Sequence, residues 1–432
     1  MNYSELIQNI ESREGKRKSY DFKRIKAILD KLDNPQQGLK YIHIAGTNGK
    51  GSTSNFIYNM LREEGYRVGL YTSPHLERYT ERIIISGEEI SQEDFVKYGL
   101  KTLEAEEKIL DEFEMMTYFE FITVIMFLYF KEKNCDICVL EVGMGGLSDS
   151  TNVILKEDKL VSIITPIGLD HTQYLGETIE EITEQKAGII VDNVPVVTSN
   201  IDEKILKILE EKAKEKNTKL YTLSNVKVEN LEISDKGTKY TLSYKNEKII
   251  DIEVSIIGYY QLYNSVLSIL SLLILRERNI LKISDESIKR GIKDTFWAGR
   301  MEIIRKNPII VLDGAHNMNG ISSLVENIKL FNYGKLYVIT SILEDKEHEK
   351  MLEKLSEKAN EIILVNLNTK RKTDLLILEK EALKYNDNVK IIDSLEDAIN
   401  NTIKKSKSND LIIISGSLYL VSEVKDIVDK II

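Results

Sequence analysis

Residues 41–61, YIHIAGTNGKGSTSNFIYNML, constrain this chain more than any other stretch. Five mostly apolar residues read as a short strand, a turn holding Gly46, Gly49 and Gly51 follows, and a helical pattern begins at once. A strand that turns directly into a helix is half of a βαβ unit, so the segment predicts a parallel sheet. Glycines let backbone N–H groups face inward around an anion, the helix start adds its dipole, and Lys50 supplies a mobile cation. The turn therefore reads as a phosphate-binding loop. It is not a strict Walker A, because position 44 is Ile44 and Gly51 separates Lys50 from the hydroxyl of Ser52. The bland alternative is a glycine-rich turn with no ligand.

The alternation of strand and helix continues. Strands are predicted at 41–45, 67–71, 135–141, 160–165 and 194–198, with helical patterns between them. Residues 225–256 alternate apolar and polar positions with turn signals and predict inserted antiparallel hairpins. Helices at 259–275 and 284–294 lead to FWAGRMEII, the predicted interdomain connection, with its hinge near 297–302. Strands then recur at 308–313, 335–340, 361–366, 389–393 and 411–415. The expected fold is α/β, with a parallel-sheet P-loop-type domain over 1–296 and a smaller Rossmann-like domain over 297–432.

Composition narrows the function. A net charge of −10 argues against nucleic acid as the main partner, since phosphate backbones need clustered cations. The most apolar run, 121–130, is about half the length of a membrane-spanning helix and reads as a buried helix. The first residues, MNYSELIQNIESREGKRK, lack the apolar core of a secretory signal, so no membrane partner is expected and the expected location is the cytoplasm. Cys135 and Cys138 form a C-x-x-C pair. CDICVLEV reads as a strand, on which side chains three apart point to opposite faces, so the pair is expected to be core cysteines rather than a metal or redox site.

Further segments carry possible chemistry. In CVLEVGMGGLSDSTN an apolar strand ends in Glu141 before a glycine-rich loop, where a carboxylate beside a phosphate loop can hold Mg²⁺. LYTSPHL places Ser73 and His75, and ITPIGLDHTQYLG places Asp170 and His171, at strand ends. Either histidine also reads as a packing or hydrogen-bonding residue. Lys186, in EQKAGII, reads by spacing alone as a surface lysine snorkelling from an amphipathic helix.

Taken together, GTNGKGS (46–52), TSPHL (72–76), TYFEF (117–121), EVGMGG (141–146), GLDH (168–171), KAGI (186–189), YYQLYNS (259–265), WAGRME (297–302), LDGAHN (312–317) and SGSLYL (415–420) run in one order. They resemble the Mur ligase superfamily, most closely folylpolyglutamate synthase with its bifunctional dihydrofolate synthase members. The resemblance implies that Thr47, Asn48, Gly49, Lys50, Gly51 and Ser52 cradle ATP phosphates. It assigns Asn264, Arg300 and Asp313 to the nucleotide, from the hinge and the second domain. Ser73, Glu141, His171 and a carbamylated Lys186 are implied as ligands of two Mg²⁺ ions. Lys50, Lys186 and His316 are implied in catalysis. Thr117, Tyr118, Phe119, Glu120, Ser148, Asp149 and Ser150 are implied along a pteroate-binding surface.

Three departures stand out. Leu147-Ser148-Asp149 replaces the usual Arg-Leu-Asp, Ala298 replaces the hinge proline, and Val191-Asp192-Asn193 replaces Lys-Pro-Gly. The activity implied is ATP-dependent addition of L-glutamate to folate through an acyl phosphate, with dihydropteroate as a further acceptor and a monomeric protein acting on small molecules. Another superfamily ligase acting on a cell-wall precursor, and a nucleotide-dependent switch protein without ligation, are the alternatives. For the incoming glutamate, NTKRKT (368–373) follows a predicted strand of the second domain and offers Arg371, since guanidinium pairs bidentately with carboxylates. The alternative there is a solvated basic loop.

Overall fold

The computed structural model describes residues 1–13 and 22–431. Part of the N-terminal segment read above, 14–18, lies outside them. The chain divides into two compact units. One comprises Met1–Val228, Leu242–Ile250 and Tyr263–Asp294, the other Glu229–Thr241, Asp251–Leu262 and Thr295–Ile432.

The first unit is built on eight strands: β1 (Tyr41–Ala45), β2 (Val68–Tyr71), β3 (Ile83–Ile85), β4 (Glu88–Glu89), β5 (Ile137–Glu141), β6 (Lys159–Ile164), β7 (Val196–Thr198) and β8 (Leu220–Thr222). Their order is β4-β3-β2-β5-β1-β6-β7-β8. Every pair from β2 to β8 is parallel, whereas β2–β3 and β3–β4 are antiparallel. β1, β2 and β5 are buried along their whole length, which is why they read as continuous apolar runs without alternation. Helix Tyr118–Glu132 contains the 121–130 run and packs it into the same apolar core as Tyr41, Tyr71 and Phe95. No helix among the described residues is long and apolar enough to cross a membrane.

Three strands, β9 (Val226–Ser234), β10 (Gly237–Tyr244) and β11 (Glu247–Val254), follow as one sheet in the order β11-β10-β9. Connections of two residues force each neighbouring pair to be antiparallel. The second unit carries β12 (Glu302–Lys306), β13 (Ile309–Leu312), β14 (Leu336–Thr340), β15 (Glu361–Leu364), β16 (Val389–Ile391) and β17 (Leu411–Ser415). Their order is β12-β13-β17-β14-β15-β16, parallel except for β12 against β13. The expected α/β class, with two parallel-rich sheets, is the observed one.

Two sequence expectations are corrected. β5 begins at Ile137, so Cys135 lies in the turn before it and strand periodicity does not separate the two thiols. The Cys138 thiol is pushed well up, chiefly by burial and then by its neighbour Cys135. Both are buried and free, so the reading as core cysteines holds for a different reason. Lys186 is the second correction: it is only 4% exposed and is no surface lysine.

Candidate active site

Four parallel strands, in the order β2-β5-β1-β6, bring their carboxyl ends to one edge of the sheet. Ser73 and His75 follow β2, Glu141 ends β5, the 46–52 loop follows β1, and Asp170 and His171 follow β6. β1 is the central strand, flanked by β5 on one side and β6 on the other, and open α/β sheets bind ligands in the crevice beside such a strand.

The loop after β1 is held by its neighbour. The N–H groups of Thr47 and Asn48 donate to Pro166 O at 2.9 and 3.3 Å. The Thr47 hydroxyl also donates to Gly168 O and accepts from Gly168 N, both at 3.0 Å. Gly49 sits at φ 83° as N-cap of helix Lys50–Glu63 and offers no capping side chain. A Cβ at this position would come within 2.5 Å of Asn264 Oδ1, so the left-handed turn and the buried Asn264 both require glycine. Ser52 lies buried in the first turn beyond Gly51.

Two lysines converge on one carbonyl. Lys50 Nζ donates to Gly46 O at 3.2 Å and to Thr47 O at 3.1 Å, while Lys186 Nζ donates to Gly46 O at 2.8 Å. Burial, then the charge of Lys50, lowers the Lys186 amine from 10.5 to about 7. A shift of that size amounts to roughly 5 kcal/mol against the charged form. A neutral amine at physiological pH is the form that can attack carbon dioxide, so burial fits the implied carbamate.

Glu141 is 4% exposed, and its Oε2 accepts from the Ser73 N–H at 3.1 Å. These two residues are brought together. His171 stands at the exit of β6, at φ 50°, with its side chain 47% exposed and 3.9 Å from Asp170. Among the described residues no three His, Cys, Asp or Glu side chains form a ready metal cluster. The implied donor set mixes hydroxyl, carboxylate, imidazole and carbamate. A buried carboxylate at a strand end beside a phosphate loop and a dischargeable lysine suits a hard divalent cation.

The implied acceptor surface is framed by a helix start. Thr117 caps helix Tyr118–Glu132, and Glu120 returns the bond to the Thr117 N–H at 2.8 Å and hydroxyl at 2.9 Å. The same Glu120 oxygen accepts from buried Arg24 at 2.7 Å, so this carboxylate braces the helix start. Phe119 brings the Cζ end of its ring against the EVGMGG loop, where a Cβ on Gly143 would lie 2.4 Å from Cζ. Asp149 is buried and ties its own loop, accepting from Met144 N, Thr151 N and the Thr151 hydroxyl at 3.0, 3.0 and 2.6 Å. Ser148 and Ser150 flank it, the latter buried.

In the second unit Asp313 follows β13 and is 4% exposed. Its oxygens accept from Met301 N at 2.9 Å and Ala315 N at 3.0 Å. Burial raises its pKa, against the opposing charge of Arg300. His316 Nδ1 meets Gly314 O at 2.8 Å, and since a carbonyl only accepts, the ring proton sits on Nδ1. Arg371 lies beyond β15 and pairs with Asp345 at 2.7 Å, both partly exposed.

Arg82 was not singled out from sequence. It is buried against the TSPHL loop, its Nε 2.7 Å from His75 Nδ1. The available signal was an arginine opening the apolar run of β3.

Fold and strand-end site together define a Mur-type ligase: residues 44–272 match the Mur ligase middle domain and 299–418 the Mur ligase, glutamate ligase domain. The chain is 35% identical to the dihydrofolate synthase/folylpolyglutamate synthase of Bacillus subtilis, over 93% of each chain. It is 34% identical to the folylpolyglutamate synthase of Lacticaseibacillus casei, over 98% of each. The Mycobacterium tuberculosis folylpolyglutamate synthase complexed with ADP superposes with a TM-score of 0.91 at 27% identity, covering 99% of this chain and 98% of that one. The chain belongs to the folylpolyglutamate synthase and dihydrofolate synthase family of ATP-dependent Mur ligases.

Proposed function

We propose that this protein joins L-glutamate to a folate by an amide bond, consuming ATP, with dihydropteroate as a further acceptor. The observation that carries the reading is the convergence of Lys50 and the buried Lys186 on the Gly46 carbonyl, beside Glu141 and Ser73. A carboxylate does not acylate an amine at neutral pH, because its leaving group is poor. Transfer of the terminal phosphoryl group of ATP to the acceptor carboxylate gives an acyl phosphate and ADP. The glutamate amine then attacks that carbonyl carbon, and the tetrahedral intermediate expels phosphate.

In this reading the loop of residues 47–52, anchored by the Thr47 and Asn48 amides on Pro166 O, cradles the ATP phosphates at the helix start, and Lys50 swings from its loop carbonyls to the transferring group. Lys186, neutral at its depressed pKa, adds carbon dioxide and releases a proton, becoming a carbamate. With Ser73, Glu141 and His171 it is proposed to hold Mg²⁺, which when bound supplies positive charge against the phosphoryl oxygens. Tyr118 and Phe119 present the face for the pteroate rings, with Thr117 and Glu120 as its brace and Ser148, Asp149 and Ser150 across from them. Asn264, Arg300 and Asp313 are proposed for the nucleotide, His316 for catalysis and Arg371 for the incoming glutamate. The protein is proposed to work as a cytoplasmic monomer.

Phosphate release from ATP tests the assignment, measured with L-glutamate and a panel of carboxylate acceptors. Release is expected with tetrahydrofolate, and with dihydropteroate if both acceptors are used. Release only with a cell-wall precursor, or with no acceptor at all, would overturn the folate reading.

A further inference from the structure

Among the described residues of the first unit, Arg13, Arg24 and Arg82 are almost wholly buried. Arg13 meets Glu106 at 2.7 Å and Arg24 meets Glu120 at 2.7 Å, as buried cations ordinarily do. Arg82, 3% exposed, has no carboxylate within ion-pair distance among the described residues. Its guanidinium carbon instead lies 5.5 Å from the Tyr79 ring centroid and 5.7 Å from that of Tyr118. Its Nη1 is buried without a hydrogen-bond partner among those residues, and its Nε donates to His75 Nδ1 at 2.7 Å.

That last contact decides a protonation pattern. A guanidinium has only donors and does not lose its proton in a protein. His75 Nδ1 must therefore be the acceptor, and the single proton of the ring sits on Nε2. An imidazolium would set N–H against N–H and is incompatible with the contact. The ring is held in place by Tyr79, with centroids 4.3 Å apart. His75 is only half-buried, and its Nε2 has no partner among the described residues and is not among the buried unpaired atoms. The result is a fixed, neutral N–H donor at an accessible position, beside a cation that no carboxylate neutralises.

Topology tells which ligand this donor meets. In the order β2-β5-β1, His75 follows β2, two strands from the phosphate loop after β1. Strand spacing makes that roughly 10 Å, on the side away from β6. Tyr118, over which Arg82 lies, is the first residue of the helix that frames the proposed acceptor surface. An uncompensated cation and a donor here favour an anionic oxygen, and the acceptor carries the carboxylate.

We infer that His75 is an acceptor-binding residue whose Nε2–H, held in that tautomer by Arg82 as a positioning residue, donates to a carboxylate oxygen of the acceptor substrate. This rests on the ligase reading above. His75→Phe keeps a ring against Tyr79 and removes the donor. It should raise the KM for the folate acceptor about tenfold, with the KM for ATP and kcat within about twofold. His75→Gln, which restores an N–H donor, should recover part of that loss. An unchanged acceptor KM, or a rise in the ATP KM instead, overturns the inference while an active wild type leaves the ligase reading standing. A wild type that releases no phosphate with any folate sinks both. If His75→Phe does not fold, nitrogen-15 histidine spectra of the full-length wild type decide. The His75 signal, assigned with His75→Gln, should show the proton on Nε2, and a proton on Nδ1 or on both nitrogens overturns the inference.

Discussion

The ends of β1 and β2 solve the same electrostatic problem with different side chains. At the loop after β1, Lys186, reaching in from helix Ile179–Ala187, is buried beside Lys50 with only a loop carbonyl as partner; after β2, Arg82 is buried between two tyrosine rings and an imidazole. Neither has a carboxylate within ion-pair distance among the described residues. A lysine in that position can discharge, and Lys186 does so near pH 7. An arginine cannot, so Arg82 keeps its charge and imposes a protonation state on its neighbour. Burial thus makes a nucleophilic amine in one place and a fixed donor in the other. The choice between lysine and arginine is chemical, not a matter of charge alone.

The comparison can be broken at its strongest point first. Lys50→Ala removes the cation proposed for the transferring phosphoryl group and should lower ligase turnover about a thousandfold at saturating ATP in a folded protein. Near wild-type turnover would show that the loop needs no mobile cation. Lys186→Ala should cost about a hundredfold or more, and short-chain carboxylic acids added to the assay should restore part of it by standing in for the carbamate. Full activity without any addition would return Lys186 to a packing role.

Whether burial by itself discharges a lysine can be tested away from the phosphate loop. Lys159 is buried, donates to Ile189 O at 2.8 Å, and is lowered from 10.5 to about 7 by burial alone. Between those values the unfolded state binds one more proton than the folded state. Wild-type stability should therefore climb with pH, relative to Lys159→Met, by about 1.4 kcal/mol per pH unit above pH 7. Below pH 7 both states are protonated, and the difference should be level at its least favourable for lysine. Denaturation of both proteins from pH 6 to 9 measures this, and a constant difference would mean that Lys159 stays charged. Arg371 supplies the exposed counterpart to Arg82, since it already has Asp345 as partner. Arg371→Ala should raise the glutamate KM severalfold and leave the ATP KM alone, whereas two unchanged values would make the 368–373 loop plain surface.

Strands buried on both faces were legible because they are mostly apolar along their whole length. The segments 41–45 and 411–415 are β1 and β17 to the residue. Short or half-exposed strands escaped. β8 is three residues long, and β12, placed in the connecting segment, is only partly buried. Neither presents a pattern that a loop could not. The Cys135 and Cys138 geometry misled for a related reason, because the strand starts two residues later than its apolar run suggested.

What the sequence alone determined is the α/β class, the glycine-rich loop between β1 and its helix, and the identity of the residues at the strand ends. These follow from hydrophobic period, glycine placement and the spacing of short motifs, all of which are local. Only the tertiary structure decided which of those residues are charged and which way they face. Lys186 was a surface lysine by helical spacing until the packing around it showed otherwise, and His75 was an unassigned imidazole until Arg82 was found against its Nδ1. Protonation states depend on burial and on contacts between residues far apart in the chain, and neither is written in the order of neighbouring side chains.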